Sequence, residues 1–242
     1  MSTLIRAMSI ACLILGTLYA SLSAGEAKLP VSTMPREQPD ADWKKTHLAY
    51  AETAKKGGIE LLFMGDSITH GWDSTGKTVF AKNFASYKVA NFGIGGDRCE
   101  HILWRFQNGE LDGISPKLIV LLIGTNNSAC GHKPEDIALG IRTILDTIKA
   151  KCAKSKVLLL QILPRGDDAN FAASNAAANV LIAKFDDGGK TVEVLDISAK
   201  FKGADGKLID ANYAEDHLHL SAKGYEEFAA AIAPEIKKLM GQ

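Results

Sequence analysis

Charge of one sign is the first thing this sequence lacks. Its 28 Lys and Arg balance 28 Asp and Glu, and no long run of like charge appears, so nothing draws the chain toward nucleic acid or an anionic membrane surface. Cysteine is scarce as well. Beyond Cys12 there are only Cys99, Cys130 and Cys152, an odd set that allows one disulfide at most and excludes a disulfide-stapled scaffold. The pairs Cys99-x-His101, Cys130-x-His132 and His217-x-His219 lack the C-x-x-C or H-x-x-x-H spacing of familiar metal sites, so no metal is expected. Internal repeats, low-complexity tracts and a second domain are also missing. What remains, 46% hydrophobic and 23% charged over 242 residues, is the composition of one α/β domain.

The amino-terminal residues read as a targeting segment. Arg6 precedes the apolar stretch Ile10–Leu18, and the small residues of "ASLSAGEA" follow. A basic start, a short apolar core and small residues at a cut site describe a secretory signal peptide. The apolar run is too short to span a bilayer comfortably. The expected division is a signal over 1–24, a lead-in and helix over 25–58, and one domain over 59–242. The expected location is periplasmic or secreted, with no stable membrane association once the signal is removed.

Five apolar runs have strand length: 59–65, 87–93, 117–124, 156–164 and 192–198. The third and fourth are apolar at nearly every position, as strands buried on both faces of a parallel sheet should be. Helical patterns lie between them at 101–109, 134–155 and 171–189, and a last one at 221–240 closes the chain, where Pro234 should kink or divide it. Strands alternating with helices predict a three-layer α/β/α sandwich around a five-stranded parallel sheet.

In such sheets the reactive groups gather beyond the carboxyl ends of the strands. After the first run comes Asp66-Ser67, and after the second "GIGGDR". After the third comes "TNN", after the fourth Pro164-Arg165-Gly166, and before the last helix "EDHLHL". Each fits part of an acyl transfer. A serine hydroxyl needs a base to become a nucleophile; His219 can be that base, and Asp216, three residues earlier, can hold its tautomer. The backbone N–H of Ser67, the N–H of Gly96 and the amide of Asn126 can supply oxyanion donors, each worth on the order of 3 kcal/mol in the transition state.

"FMGDSIT", "NFGIGGDR", "GTNN" and "DHLHLS", in that order, resemble the four blocks of the SGNH/GDSL hydrolase superfamily. The text from "NFGIGGDRCEHILWRFQNGEL" to "GTNN", with "LPRG", is similar to its platelet-activating-factor acetylhydrolase catalytic-subunit branch. The resemblance covers about residues 59–240. It implies a flavodoxin-like strand order 2-1-3-4-5 and a shallow open site. It also implies Ser67 as nucleophile, Asp216 and His219 completing a triad, and Gly96 and Asn126 as oxyanion donors. Gly96 is preferred to Gly95, and Asn126 to Asn127, because the family blocks place them so. The chain departs from the branch at "DRCEH" (97–101), which puts the rim of the acyl pocket in question. The acetylhydrolase relatives pair into dimers, so a homodimer is the implied assembly. The expected activity is a cofactor-free serine esterase acting on a small-molecule or polysaccharide ester, with acetyl on a carbohydrate first and a phospholipid-like ester second.

Rival readings exist. "GWDSTGKT" (71–78) matches G-x-x-x-x-G-K-[ST] letter for letter, yet it starts six residues after the first strand ends, so it reads as a surface loop rather than a nucleotide cradle. A non-catalytic carbohydrate-binding relative is the other. Asp66 is expected to brace its loop, Trp104 and Phe106 to pack helix on sheet, and Asp196 to end its strand. Arg105 and Arg165 are expected to be surface charges without a functional role, with contact to an anionic or sugar substrate as the alternative.

Overall fold

The apolar runs pair into one sheet because each has apolar residues on both faces. In the computed structural model, which describes residues 29–241, the strands are β1 Leu61–Gly65, β2 Val89–Gly93, β3 Leu118–Leu122, β4 Lys156–Leu160 and β5 Val192–Leu195. All pairings are parallel and the order is β2-β1-β3-β4-β5. Alternation divides the core in two. Leu62, Met64, Ile119, Leu121, Val157 and Leu159 face one layer, and Leu61, Phe63, Val120, Leu122, Leu158 and Leu160 face the other. The signal expected over 1–24 lies outside the described residues.

Helices fill both layers. On the first side lie α1 Ala41–Lys56, α4 Cys99–Gln107, α6 Pro134–Lys151 and α7 Ala169–Ile182. On the second lie α2 Ser67–His70, α3 Lys77–Phe84 and α8 Ala222–Leu239, while α5 Thr125–Ala129 caps the carboxyl end of β3. Local chemistry sets their ends. Asp40 accepts from Trp43 N at 2.7 Å to cap α1, and Asp168 accepts from Asn170 N and Phe171 N to cap α7. The helix α6 opens on Pro134, Glu135 and Asp136 and closes on Lys149 and Lys151, matching its dipole. Among the described residues no helix is long and apolar enough to cross a membrane.

Three expectations need correction. The strands stop short of Gly124, Pro164 and Ser198. Gly124 turns the chain at φ +126°. Ile162 gives its N–H and C=O to the Asn179 side chain rather than to a strand, both at 2.8 Å. Asp196 folds back on Ser198 N. Pro234 does not divide α8, which runs unbroken with Tyr225, Phe228, Ile232 and Ile236 buried along one face. Finally, "GWDSTGKT" is a surface loop only in part: Asp73, Ser74 and Thr75 are exposed, but the segment also packs inward. Trp72 within it is fully buried. A Cβ on Gly71 would overlap the Tyr225 hydroxyl, and one on Gly76 would sit 2.7 Å from the Trp72 ring and 2.8 Å from Tyr225. Those two glycines let α8 pack, a structural role that by itself accounts for glycine at both positions of the pattern.

Candidate active site

The carboxyl ends of the strands carry the groups singled out above. Asp66 caps α2 by accepting from Ile68 N at 3.0 Å, so Ser67 begins a helix directly after β1 and its hydroxyl stands at the sheet edge. Asp66 is itself buried, with no partner for Oδ2 among the described residues. Burial pushes its carboxyl up to about 7, against the opposing Ile68 N–H.

From the other end of the chain, residues 213–220 fold into a tight loop closed by Ala214 N to His219 O at 2.8 Å. That loop turns at His217, a non-glycine residue at φ +51°. It delivers His219 Nε2 to 2.8 Å from Ser67 Oγ. Asp216 Oδ2 takes the other ring nitrogen, Nδ1, at 2.6 Å. Asp216 Oδ1 accepts from Leu218 N and His219 N at 3.0 and 2.9 Å. Desolvation is the largest single influence on the Asp216 carboxyl and raises it, but the bonds from the His219 ring and the two backbone N–H groups together outweigh it and hold the carboxyl at about 2. An ionised acceptor at Nδ1 fixes the proton there, which leaves the Nε2 lone pair facing the serine hydroxyl. His217 pairs loosely with Asp210 at 3.8 Å and stands outside the Ser–His–Asp line.

The glycine turn and the asparagine close the opposite side. Gly96 adopts φ +75°, a conformation a side chain would strain. Gly95 lies alongside Ser67, so that a Cβ there would sit 3.9 Å from the Ser67 Cβ. Asn126 Nδ2 donates to the Asp97 carbonyl at 2.9 Å. Asn127 is fully buried and spent on structure: Oδ1 accepts from Cys99 N at 3.0 Å and Nδ2 donates to Glu100 at 2.9 Å. Of the two asparagines, only Asn126 keeps partial exposure at the rim.

The turn is braced from beneath by a buried charge cluster. Arg105, with no solvent exposure, donates to Asp97 Oδ2 and to both Glu110 oxygens, at 2.9 and 2.7 Å for the latter. Asp97 Oδ1 also accepts from Trp43 Nε1 at 2.6 Å and Gln38 Nε2 at 3.1 Å. His47 Nδ1 meets Glu110 at 2.8 Å. Burial raises the Asp97 carboxyl while the Arg105 guanidinium opposes it. The lead-in and α1 are therefore part of the support of the site, and Gln38 hangs over Gly96: a Cβ there would be 3.7 Å from its Nε2. Trp104 packs on Trp43 and His47 rather than on the sheet, whereas Phe106 joins the core. Sequence reasoning missed Gln38, Trp43 and His47, because nothing local couples them to a turn far along the chain.

Arg165 is also spoken for. Its side chain is 3% exposed and bonded to Asp167 and Thr125, so it is not a surface charge and presents no guanidinium to a ligand. A cavity of about 390 Å³ lies between α7 and the end of β5, lined by Asn175, Asn179, Asp196 and Lys202 among others, and none of the site residues lines it. The site is instead an open rim, with His219 and Asp216 side chains 43% and 49% exposed. Among the described residues no cluster of three metal-capable side chains occurs, and Cys99, Cys130 and Cys152 are all free.

The chain as a whole is similar to several known proteins. The model of the GDSL-like lipase/acylhydrolase family matches residues 63–227. Human platelet-activating factor acetylhydrolase IB subunit alpha1 is 32% identical over 206 residues, covering 85% of this chain and 87% of that protein. A GDSL-like lipase from Bacteroides thetaiotaomicron superposes with a TM-score of 0.63 at 24% identity, over 81% of this chain and 98% of that one. A mutant of an acetyl-xylooligosaccharide esterase from Geobacillus Stearmophilus gives 0.58 at 18%, over 77% and 95%.

Proposed function

The chain belongs to the GDSL-like lipase/acylhydrolase family, a carboxylic ester hydrolase by that membership, and on that premise we propose that it is an exported serine esterase removing acetyl groups from a carbohydrate. The observation that carries the reading is the continuous line Ser67 Oγ, His219 Nε2, His219 Nδ1, Asp216 Oδ2, with contacts of 2.8 and 2.6 Å.

In the reaction, His219 Nε2 takes the Ser67 proton as Oγ bonds to the ester carbonyl carbon. The carbonyl π electrons move to oxygen, and that oxyanion lies among Ser67 N–H, Gly96 N–H and the free N–H of Asn126. Asp216 stabilises the imidazolium and keeps the ring oriented. The C–O bond then breaks, and His219 gives its proton to the departing alcohol. Water enters, loses a proton to the same histidine, and attacks the acyl-serine; collapse frees the acid and restores Ser67. Chain, substrate and water account for every proton and electron pair.

An acetyl group is favoured because two proteins similar to this one are described as an acetylhydrolase and an acetyl-xylooligosaccharide esterase. Their alcohols differ. The open rim accommodates a bulky leaving group, and the amino-terminal segment from Arg6 to Ala24 has the pattern of an export signal; outside the cell, acetylated polysaccharide is an accessible ester. The 32% identity to the acetylhydrolase supports a phospholipid-like ester as the second reading. Hydrolysis of p-nitrophenyl acetate by wild type and Ser67→Ala tests the chemistry: equal rates end the proposal. Values of kcat/KM on acetylated sugars against short-chain phospholipid esters decide the alcohol, and fractionation of expressing cells tests export.

A further inference from the structure

The segment after β4, Leu163-Pro164-Arg165-Gly166-Asp167, touches both halves of the site. Toward the oxyanion side, Arg165 Nη1 donates to Thr125 O at 3.1 Å and to Thr125 Oγ1 at 3.0 Å. Thr125 directly precedes Asn126 and opens α5. Two further bonds clamp the same residue, Ser128 Oγ to Thr125 O at 2.7 Å and Asn175 Nδ2 to Thr125 Oγ1 at 3.2 Å. Toward the base side, Gly166 N donates to His217 O at 2.9 Å, and the Pro164 carbonyl accepts from Tyr213 Oη at 2.7 Å. His217 lies between Asp216 and His219 at the strained point of that loop. Gly166 makes this approach close, since a Cβ there would meet Leu208 at 2.6 Å and His217 Cβ at 3.3 Å.

The guanidinium is held rigidly. Asp167 grips one edge of it with both oxygens, Oδ1 on Nε at 2.6 Å and Oδ2 on Nη2, and the Phe171 ring centre lies 5.0 Å from its central carbon. A planar fork held along one edge by a bidentate carboxylate keeps its far nitrogen, Nη1, aimed at Thr125.

We propose that Arg165 is a positioning residue: residues 164–166 form a strut between the two loops, and Arg165, through Thr125, sets where the Asn126 amide stands relative to Ser67 and His219. The strut touches no substrate. It works because displacement of a catalytic group by about 1 Å can cost on the order of a hundredfold in rate. The inference rests on the esterase reading above, in which Asn126 is an oxyanion donor.

A double-mutant cycle tests it with p-nitrophenyl acetate. Arg165→Met should lower kcat by about 30-fold with KM within about threefold, and Arg165→Lys should recover part of the loss. In an Asn126→Ala background the same Arg165→Met change should cost less than about threefold, because the donor it positions is gone. Thr125→Val, which deletes the accepting hydroxyl at constant shape, replaces Arg165→Met if that variant does not fold, and should show the same dependence on Asn126. An equal loss from Arg165→Met or Thr125→Val with and without Asn126, or an unchanged kcat, overturns the strut. Activity retained by Ser67→Ala overturns the esterase reading instead, so the two failures are distinguishable.

Discussion

Asn126 and Asp97 are joined by a hydrogen bond of 2.9 Å from the amide nitrogen of one to the main-chain carbonyl of the other. The bond commits one N–H of the amide and aims the second. Asp97 is in turn fixed by Arg105, Trp43 and Gln38, so a buried ion cluster holds the amide from this side as Thr125 holds it from the other. Asn126→Ala should lower kcat on p-nitrophenyl acetate by about 10²–10³ while leaving the melting temperature nearly unchanged. A loss below about fivefold would remove Asn126 from the oxyanion site.

Asp216 offers a test of tautomer control. Its carboxyl, held at about 2, stays an acceptor throughout the working range. Asp216→Asn presents an amide that can donate to Nδ1, so the Nε2 position acquires the proton and loses its lone pair. A fall in kcat of about 10³–10⁴ with unchanged circular dichroism is expected, by analogy with other Ser–His–Asp hydrolases. A variant within tenfold of wild type argues that Asp216 only shapes the loop.

Stability should depend on pH through Asp66. A carboxyl raised from 3.8 to about 7 in the folded state favours the protonated, low-pH form. Its penalty is absent below the unfolded value and grows as pH rises toward the folded value. Between pH 5 and 8 wild type should lose about 2–3 kcal/mol relative to Asp66→Asn, which carries no ionisable group there. Urea midpoints of both proteins at the two pH values measure this, and parallel curves would show that Asp66 is ionised without cost.

Arg105 lies between Asp97 and Glu110 with none of the three side chains exposed. Arg105→Met leaves two buried carboxyls without their cation and should cost about 3–5 kcal/mol. The Asp97→Asn, Arg105→Met double variant should be less destabilised than the sum of its parts. Denaturant unfolding of the four proteins reads the coupling, and additivity would mean the groups are independently solvated.

The phosphate-binding look-alike gives a paired test. Lys77 is exposed, and Lys77→Ala should leave activity and melting temperature where they are. Gly71→Ala drives a methyl into the Tyr225 hydroxyl and should destabilise by about 1–3 kcal/mol, the usual cost of overpacking. Loss of activity in Lys77→Ala with the fold intact would point back to an anion at this segment.

Much of the fold was legible because its signals are local. Buried runs such as "KLIVLLIG" and "KVLLLQILP" announce strands by composition alone. The strand order came from the resemblance, and the sheet has that order. The very short helices α2 and α5 gave no periodicity to read, since four or five residues do not complete a pattern. The strand ends were misjudged where side chains such as Asn179 took over the backbone bonds.

The sequence by itself determined which chemical groups are available, a hydroxyl at Ser67, an imidazole at His219, a carboxylate at Asp216 and an amide at Asn126, because each stands in a short block whose residue types suit its task. Only the tertiary structure decided what else those groups depend on. The burial of Arg105 and Arg165, the reach of Gln38 to Gly96, and the joining of Thr125 to His217 through residues 164–166 all pair atoms far apart in the chain. Such pairings leave no periodic trace: they arise from the packing of helices on a twisted sheet, and the energy that fixes them is the desolvation each polar group would otherwise suffer unpaired.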